Sequence, residues 1–241
     1  MMRTSHKLLL LFTLLLQTAL YAQNMPTVIE LFTSQGCSSC PPADALLEEI
    51  KNEYGDNVIA LSYHVDYWDY IGWKDPFATK GFTQKQYAYA EKFRSRSVYT
   101  PQAVINGRSH YTGSDKSAIY KVLNSDHKIA KPVSLTISKT TLQGNLIAID
   151  YTVADTNTAN ELTFAITIRE KVTQVKRGEN RNRTLKNTHI VVAEQTLNRY
   201  ATNGKLLLQL PDWIKEKDQL SIVAYATKAN VGIIDAVTTT L

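Results

Sequence analysis

Two cysteines, Cys37 and Cys40, are the residues of this chain best suited to chemistry, and the chain has no others. They stand in the stretch GCSSCPP, so Pro41 and Pro42 follow them directly. Proline lacks a backbone N–H, and inside a helix it is tolerated only in the first turn. The spacing therefore predicts that the pair lies at a helix start. There the positive end of the helix dipole favours a thiolate and lowers thiol pKa values to roughly 3.5–7.5.

This placement predicts thiol–disulfide exchange, in which Cys37 is the exposed nucleophile and Cys40 resolves the mixed disulfide. A structural staple is the weaker interpretation, because closing so short a loop constrains the unfolded chain very little. One alternative is a copper(I) or zinc carrier that uses both thiolates, with His64 as a further copper ligand. Another is a non-catalytic binding protein whose cysteines stay oxidised. The exchange reaction needs no cofactor, and no metal is assigned to the site.

A proline before an apolar strand supplies a second feature of the site. Pro101 lies in VYTPQAVINGR, and cis peptide bonds are almost confined to X–Pro bonds. In redox folds with this order of elements, a cis proline faces the cysteine pair. We therefore expect a cis Thr100–Pro101 bond that orients the backbone of an extended substrate. The alternative is a trans proline that only begins the strand.

Four further residues are expected to surround the pair. His64 and Asp66 end the second predicted strand, where they could move protons. Trp68 belongs to the aromatic-rich insert YHVDYWDYIGWKDPF, which could form a wall for a peptide or a small thiol, or could simply pack a long loop. Glu30 lies inside an apolar strand, where it could accept the proton of Cys40 or instead reach water or an arginine.

A basic stretch, KVTQVKRGENRNRTLKN, lies in the second half of the chain. It carries six cations against one acid, Glu179, with Glu170 immediately before it. Such a stretch could attract an acidic partner or close over the cysteines. The ordinary alternative is a solvated loop between two strands.

The elements that must position these residues change character near Pro132. Before it, the strand-like runs TVIELF, NVIALSYHV and QAVING alternate with helical patterns in ADALLEEIKNEYG, FTQKQYAYAEKF and SDKSAIYKVL, which is typical of an α/β layer structure. After it, seven strand-like segments with polar turns predict a small β-sandwich. The first of these segments form a hairpin that turns at Gly144.

The N-terminal residues indicate an export signal. Arg3 and Lys7 precede an apolar stretch, and Ala22 offers a cleavage site. A membrane anchor or a core helix is the alternative, but the stretch is short for a stable span. Cleavage would reduce the formal charge from +5 to +3 by removing two cations, too weak a balance to favour nucleic acid as a partner. We therefore expect a periplasmic or secreted protein with no stable membrane span, in surroundings where disulfides persist.

Four segments, ELFTSQGCSSCPPAD, HVDYWDYIGWKDPF, VYTPQAVINGR and RGENRNRTLKNTHIV, together resemble an exported family named domain of unknown function 1223. The order of elements in the first half also looks like the thioredoxin superfamily. The resemblance implies a thioredoxin-like fold for the first half. Together with the patterns above, we expect a signal peptide at 1–22, an α/β thioredoxin-like domain at 24–130 and an all-β sandwich-like domain at 131–241. The expected function is that of a thiol–disulfide oxidoreductase acting on a thiol or disulfide protein or a small thiol.

Overall fold

The structure is a computed structural model that describes residues 25–126, 133–154, 158–215 and 218–241. The signal peptide predicted at 1–22 lies outside the described residues. No helix in these ranges is long and apolar enough to cross a membrane.

Strands and helices follow the predicted segments closely, with one short strand, β4, that the sequence did not indicate. The α-helices of the described ranges are α1 (Pro41–Tyr54), α2 (Lys80–Lys92) and α3 (Lys116–Asp126). The strands are β1 (Thr27–Thr33), β2 (Val58–His64), β3 (Gln102–Ile105), β4 (Ser109–Thr112), β5 (Ser134–Gln143), β6 (Leu146–Ala154), β7 (Glu161–Gln174), β8 (Thr184–Leu197), β9 (Asn203–Gln209), β10 (Leu220–Lys228) and β11 (Gly232–Thr240). Short 3-10 helices span Gly55–Asn57 and Asp66–Ile71.

The strands form two sheets. The larger sheet has eight strands in the order β11-β10-β7-β8-β2-β1-β3-β4, and the smaller has three in the order β5-β6-β9. The larger sheet is mixed, because β1 and β2 run parallel while β3 pairs with β1 in the antiparallel sense. Both β1 and β2 are buried along their whole length, as expected for strands covered on both faces.

The predicted fold class, an α/β thioredoxin-like domain followed by an all-β sandwich-like domain, is wrong. The protein is mostly β, with 47% strand and 22% helix, and its largest unit is a single mixed sheet. That sheet joins strands from both halves of the chain, because Ser62 of β2 pairs in parallel with Ile190 of β8. Sequence periodicity identifies every strand except β4, but it does not identify the strand that pairs with each edge. The predicted boundary at 130–131 falls among residues outside the described ranges and stays a prediction.

Three apolar cores hold these layers together. One core lies between the small sheet and strands of the large sheet, and it includes Ile149, Phe164 and Ile222. The other two lie on opposite faces of β1, since its side chains alternate. Leu31 packs with α1 on one face, and Phe32 packs near α2 on the other.

The parallel pairing of β1 and β2 positions the site. Thr33 and His64, the last residues of the two strands, lie opposite each other in the register. The loop that leaves Thr33 carries the cysteines, and the chain that leaves His64 forms the aromatic insert. Both segments therefore begin at the same edge of the sheet.

Candidate functional site

The two cysteines lie at the start of α1, as predicted from their prolines. Cys40 is the N-cap residue, and Pro41 and Pro42 occupy the first turn. Cys37 and Cys40 are joined by a disulfide bond, with their Cα atoms 5.4 Å apart. The Ser39 hydroxyl lies 3.3 Å from the Cys37 sulfur, so the dipeptide between the cysteines contacts that sulfur directly.

The exposure expected for Cys37 is wrong for this disulfide-bonded state. Both cysteines are 0% exposed, whereas Ser38 and Ser39 between them are exposed. A thiol from solution therefore meets the serines before it meets either sulfur. What buries the sulfurs decides how the disulfide can react.

The loop of residues 175–183, which joins β7 to β8 and is called the cover below, packs against the cysteine loop. The buried Asn180 side chain donates both of its amide hydrogens, to the carbonyl oxygens of Gln35 and Cys37, each at 2.9 Å. The Glu179 carboxylate accepts a hydrogen bond from the Ser38 backbone N–H at 3.0 Å. The second half of the chain thus contributes directly to the cysteine site.

The cover also rests on the aromatic insert. Gly178 has a φ of 74°, and a Cβ there would lie 3.1 Å from Ile71 and 3.3 Å from Trp73. Glycine is therefore required both by the left-handed backbone and by the close packing. The Trp73 indole N–H donates to the Gln35 side chain at 3.2 Å. The insert is therefore packed against the cover and also hydrogen-bonded to the cysteine loop.

Three titratable side chains, Asp44, His64 and Asp75, are buried and interact with one another near the start of α1. Asp44 is one helical turn beyond Cys40, and its backbone N–H donates to the Cys40 carbonyl at 3.1 Å. Residues four apart on a helix share a face, with Cβ atoms about 5–6 Å apart. The Asp44 carboxyl is accordingly a near neighbour of Cys40.

His64 and Asp75 form a buried pair, with the His64 Nδ1 atom 2.7 Å from a carboxylate oxygen of Asp75. The Asp75 carboxylate also accepts from the backbone N–H groups of Gln35 at 2.7 Å and Phe77 at 3.0 Å. Although burial opposes charge, His64 and these hydrogen bonds hold the pKa of Asp75 below its ordinary value. Asp75 and Asp44 in turn outweigh burial and raise the pKa of His64.

Asp44 behaves in the opposite way to Asp75. Burial raises the pKa of Asp44 from its ordinary value of 3.8 to about 7, and the nearby His64 and the Thr33 hydroxyl lower it only in part. The Asp44 Oδ1 atom and the His64 Nε2 atom are buried and have no partner within hydrogen-bond geometry among the described residues, even though Thr33 lies nearby. The site therefore holds a carboxyl that exchanges a proton near neutral pH, beside an imidazole with a free ring nitrogen.

Amide side chains connect these acids to the rest of the site. The Asn187 side chain of β8 donates to Asp44 at 3.3 Å and accepts from the Gln35 side chain at 2.9 Å. Gln35 and Asn187 are both buried. This network fixes the carboxyl of Asp44 relative to the cysteine loop.

The Thr100–Pro101 bond is cis, as expected from the sequence. The Trp68 indole N–H donates to the Thr100 hydroxyl at 2.8 Å. The Trp68 Cβ also lies close to Gly36, the residue before Cys37, because a Cβ placed on Gly36 would be 2.9 Å from it. Trp68 therefore lies between the cysteine loop and Thr100, and it brings the two predicted segments together.

Pro101 lies beside the start of α1. A Cβ placed on Gly113 would meet Leu31 at 2.7 Å, Pro101 at 3.0 Å and Ala43 at 3.1 Å. These three side chains thus converge on one small space, and Ala43 is in the first turn of the helix that follows Cys40.

Two of the predicted neighbours lie elsewhere. Glu30 is on the opposite face of β1, where its carboxylate accepts from the Tyr89 hydroxyl and lies 3.3 Å from the Lys85 amine. It is fully buried in that cluster and is not placed with the cysteines. Asp66 accepts from the Thr83 hydroxyl at 2.5 Å and tethers the aromatic insert to α2.

The sequence analysis does not single out three residues of the site: Asp44, Asp75 and Asn180. For Asp44 a usable signal exists, namely an acid four positions after a helix-start cysteine. Asp75 and Asn180 gave no such signal, since both reach the site through tertiary contacts. Among the described residues, no cluster of three or more His, Cys, Asp or Glu side chains is arranged to hold a metal ion.

Comparison with known proteins identifies the family but no activity. A structural-genomics protein from Agrobacterium tumefaciens is similar over 90% of this chain and 94% of its own, with 31% identity and a TM-score of 0.65. A beta-glucuronidase from Lactobacillus rhamnosus is similar over 46% of this chain and 16% of its own, with 15% identity and a TM-score of 0.26, a likeness that carries no argument. No curated protein matches. The model of the family described as "Protein of unknown function (DUF1223)" matches residues 28–227, so the chain belongs to that family.

Proposed function

We propose that this protein is an exported thiol–disulfide oxidoreductase whose reactive group is the Cys37–Cys40 disulfide. The observation that carries the proposal is the buried Asp44, which lies one turn from Cys40 and has a pKa raised to about 7. Breaking a disulfide creates a thiolate that needs a proton, and forming one releases a proton. A carboxyl that gains and loses a proton near neutral pH suits both directions. A structural staple has no need of such a group.

In the reductive direction, a thiolate from the partner attacks the Cys37 sulfur, and the S–S bond to Cys40 breaks. Cys40 leaves as a thiolate and takes the proton that Asp44 carries. A second partner thiol then attacks the mixed disulfide at the partner's sulfur, so that Cys37 is released and the partner becomes oxidised. The oxidative direction is the reverse, with Asp44 accepting the proton from Cys40.

Other residues support this assignment. His64, paired with Asp75, can stabilise the charge on Asp44 after it has given up its proton, because opposite charges attract strongly in a buried site. The helix start and the Ser39 hydroxyl both favour a thiolate on Cys37. We expect the cis Thr100–Pro101 segment, held by Trp68, to bind the backbone of an extended substrate. Export to an oxidising compartment would keep the resting protein in the disulfide form.

Exchange with glutathione tests the proposal. The folded protein should equilibrate with mixtures of reduced and oxidised glutathione, and the thiol pKa of the reduced protein should lie below about 8.5. Cys40→Ser, which keeps Cys37, should form a stable mixed disulfide with glutathione. Cys37→Ser, the matched control, should form the mixed disulfide more slowly, because Cys40 is the resolving cysteine and not the cysteine that reacts first with the partner.

The contrary result would be a disulfide that stays intact under native conditions and is reduced only when the protein unfolds. That outcome would favour a binding protein with a permanently oxidised pair. The carrier alternative makes a different prediction, namely copper or zinc retained in stoichiometric amount by the reduced wild type and lost in Cys40→Ser.

A further inference from the structure

The cover carries positive charges that nothing in the described structure neutralises. Lys176, Arg177, Arg181 and Arg183 are all exposed, and none forms an ion pair with a carboxylate in the described part of the chain. Arg183 donates to the neutral side-chain oxygen of Asn180 at 2.9 Å. Four like charges on one short loop repel each other, and they cost folding free energy unless a partner supplies the opposite charge.

These charges lie on the loop that is hydrogen-bonded to the cysteine segment. Asn180, between Arg177 and Arg181 in the chain, bonds the Cys37 carbonyl directly. The single acid of the cover, Glu179, is hydrogen-bonded to Ser38, which lowers its pKa. Tyr70, on the 3-10 helix whose Ile71 packs against Gly178, is 82% exposed. The cover and the aromatic insert that packs against it thus present exposed cations and an exposed aromatic ring.

We propose that the cover is the docking surface for an acidic, cysteine-containing peptide segment of a partner protein. This inference rests on the proposed redox function and names the substrate class of the same site. Four cations match several carboxylates, more than a small thiol carries, and the exposed ring of Tyr70 suits a peptide side chain. The phosphates of a nucleic acid would also bind these cations, but a nucleic acid carries no thiol that could react with Cys37.

The charges would act on the chemical step as well as on docking. The attacking group is an anionic thiolate, and the positive field of the cover raises the local concentration of that thiolate. Carboxylates of the partner that bind Arg177 and Arg181 would bring its thiolate to the Cys37 sulfur. The exchange then proceeds as described above, with a second thiol of the partner completing the oxidation to a partner disulfide.

Three synthetic peptides test the inference. Each contains one cysteine flanked by glutamates, by glutamines or by lysines, and each is used to reduce the disulfide of the full chain. The protein is compared with Arg177→Gln/Arg181→Gln and with the charge-matched control Arg96→Gln/Lys121→Gln, which removes two exposed cations away from the cover. Rates are measured at about 0.01 M and about 1 M salt, where screening lengths are about 30 Å and 3 Å.

The glutamate peptide should react about fivefold more slowly with Arg177→Gln/Arg181→Gln than with wild type at low salt, because each cation roughly 8 Å from a carboxylate in water is worth about a factor of two. The difference should vanish at high salt. The glutamine peptide should show a smaller difference than the glutamate peptide, because only its thiolate is negatively charged, and the lysine peptide should react faster with the variant. The control variant should match wild type for all three peptides.

Each other outcome has a distinct meaning. If the ratio of wild-type to variant rates is the same for all peptides, the docking inference is refuted while the redox function stands. Glutathione is tested beside the peptides. If glutathione reacts more slowly with Arg177→Gln/Arg181→Gln than with wild type and the glutamate peptide does not, the ligand of the cover is a small anionic thiol and not a peptide. If no peptide reduces the folded protein, the proposed redox function itself fails.

Discussion

Removing the Asn180 side chain should open the disulfide to attack. In the folded protein Asn180 is 0% exposed, and its amide fixes the cover to the carbonyl oxygens of Gln35 and Cys37. Asn180→Ala deletes both of these hydrogen bonds, and the bond from Arg183 within the cover, but leaves the Glu179–Ser38 contact in place. The cover should therefore detach more often without the rest of the fold being lost.

The size of the effect follows from the two bonds. A hydrogen bond within a protein contributes about 0.5–1.5 kcal/mol net, so the closed state should lose about 1–3 kcal/mol. Since about 1.4 kcal/mol corresponds to a factor of ten, the population of the open state should rise by about 5–150-fold. The Cys37 carbonyl keeps the hydrogen bond from the Cys40 N–H at 3.2 Å, which favours the lower part of that range.

The assay is the rate at which dithiothreitol reduces the disulfide of the oxidised, folded protein. Both sulfurs are buried, so attack requires the cover to open, and the rate should increase in proportion to the open population. Gln174→Ala, an exposed amide in the same hairpin, is the matched control and should leave the rate unchanged. Unfolding in urea, followed in parallel, shows whether each variant is native under the conditions of the assay.

Two results would refute this reasoning. A rate in Asn180→Ala within twofold of wild type, with the fold intact, would mean that the cover does not limit access. A rate that follows the global unfolding equilibrium as urea is varied, in wild type and variant alike, would mean that the disulfide reacts only in the unfolded chain.

Three further predictions concern the surrounding residues. Between about pH 4 and pH 7 the folded protein keeps a proton on Asp44 that the unfolded chain has already released. The free energy of unfolding should therefore fall by up to roughly 4 kcal/mol as the pH rises through that range. Asp44→Asn should remove this decline, as measured by urea unfolding at several pH values, and should also slow exchange of the disulfide near pH 7. Gly113→Ala should destabilise the fold by about 1–3 kcal/mol through overpacking against its close neighbours, whereas Gly81→Ala, with only an ordinary contact in α2, should stabilise it by up to about 1 kcal/mol. Trp68→Phe, which loses the hydrogen bond to Thr100, should cost about 1 kcal/mol of stability in thermal unfolding and should lower the rate with peptide thiols more than with dithiothreitol.

Local sequence patterns predicted the parts of the site that local physics controls. Pro41 and Pro42 can occupy a helix only at its first turn, so the position of Cys40 at the N-cap followed from the chain alone. The cis bond at Pro101 was also expected, from the likeness to redox folds in which a cis proline faces the cysteine pair, and an X–Pro bond is the kind of bond that permits it. The burial of β1 and β2 followed from their continuous apolar runs.

Long-range contacts explain the errors. Glu30 was expected near Cys40, but alternation along β1 directs it to the face opposite α1, where Lys85 and Tyr89 lie. The fold class was wrong because β8 pairs with β2, and no periodic pattern encodes which strand meets a free edge. The same pairing brings Asn187 to Asp44 and the cover to Cys37.

The sequence by itself determined which residues could do chemistry and which local element carries each of them. Only the tertiary structure decided their surroundings, namely that Cys37 and Cys40 are covered, that Asp44 is buried beside His64, and that Asn180 closes the site from far along the chain. The physical reason is the range of the forces involved. Helix starts, proline geometry and strand burial depend on a few neighbouring residues, whereas burial of a sulfur and the pKa of a carboxyl depend on what every other segment places around them.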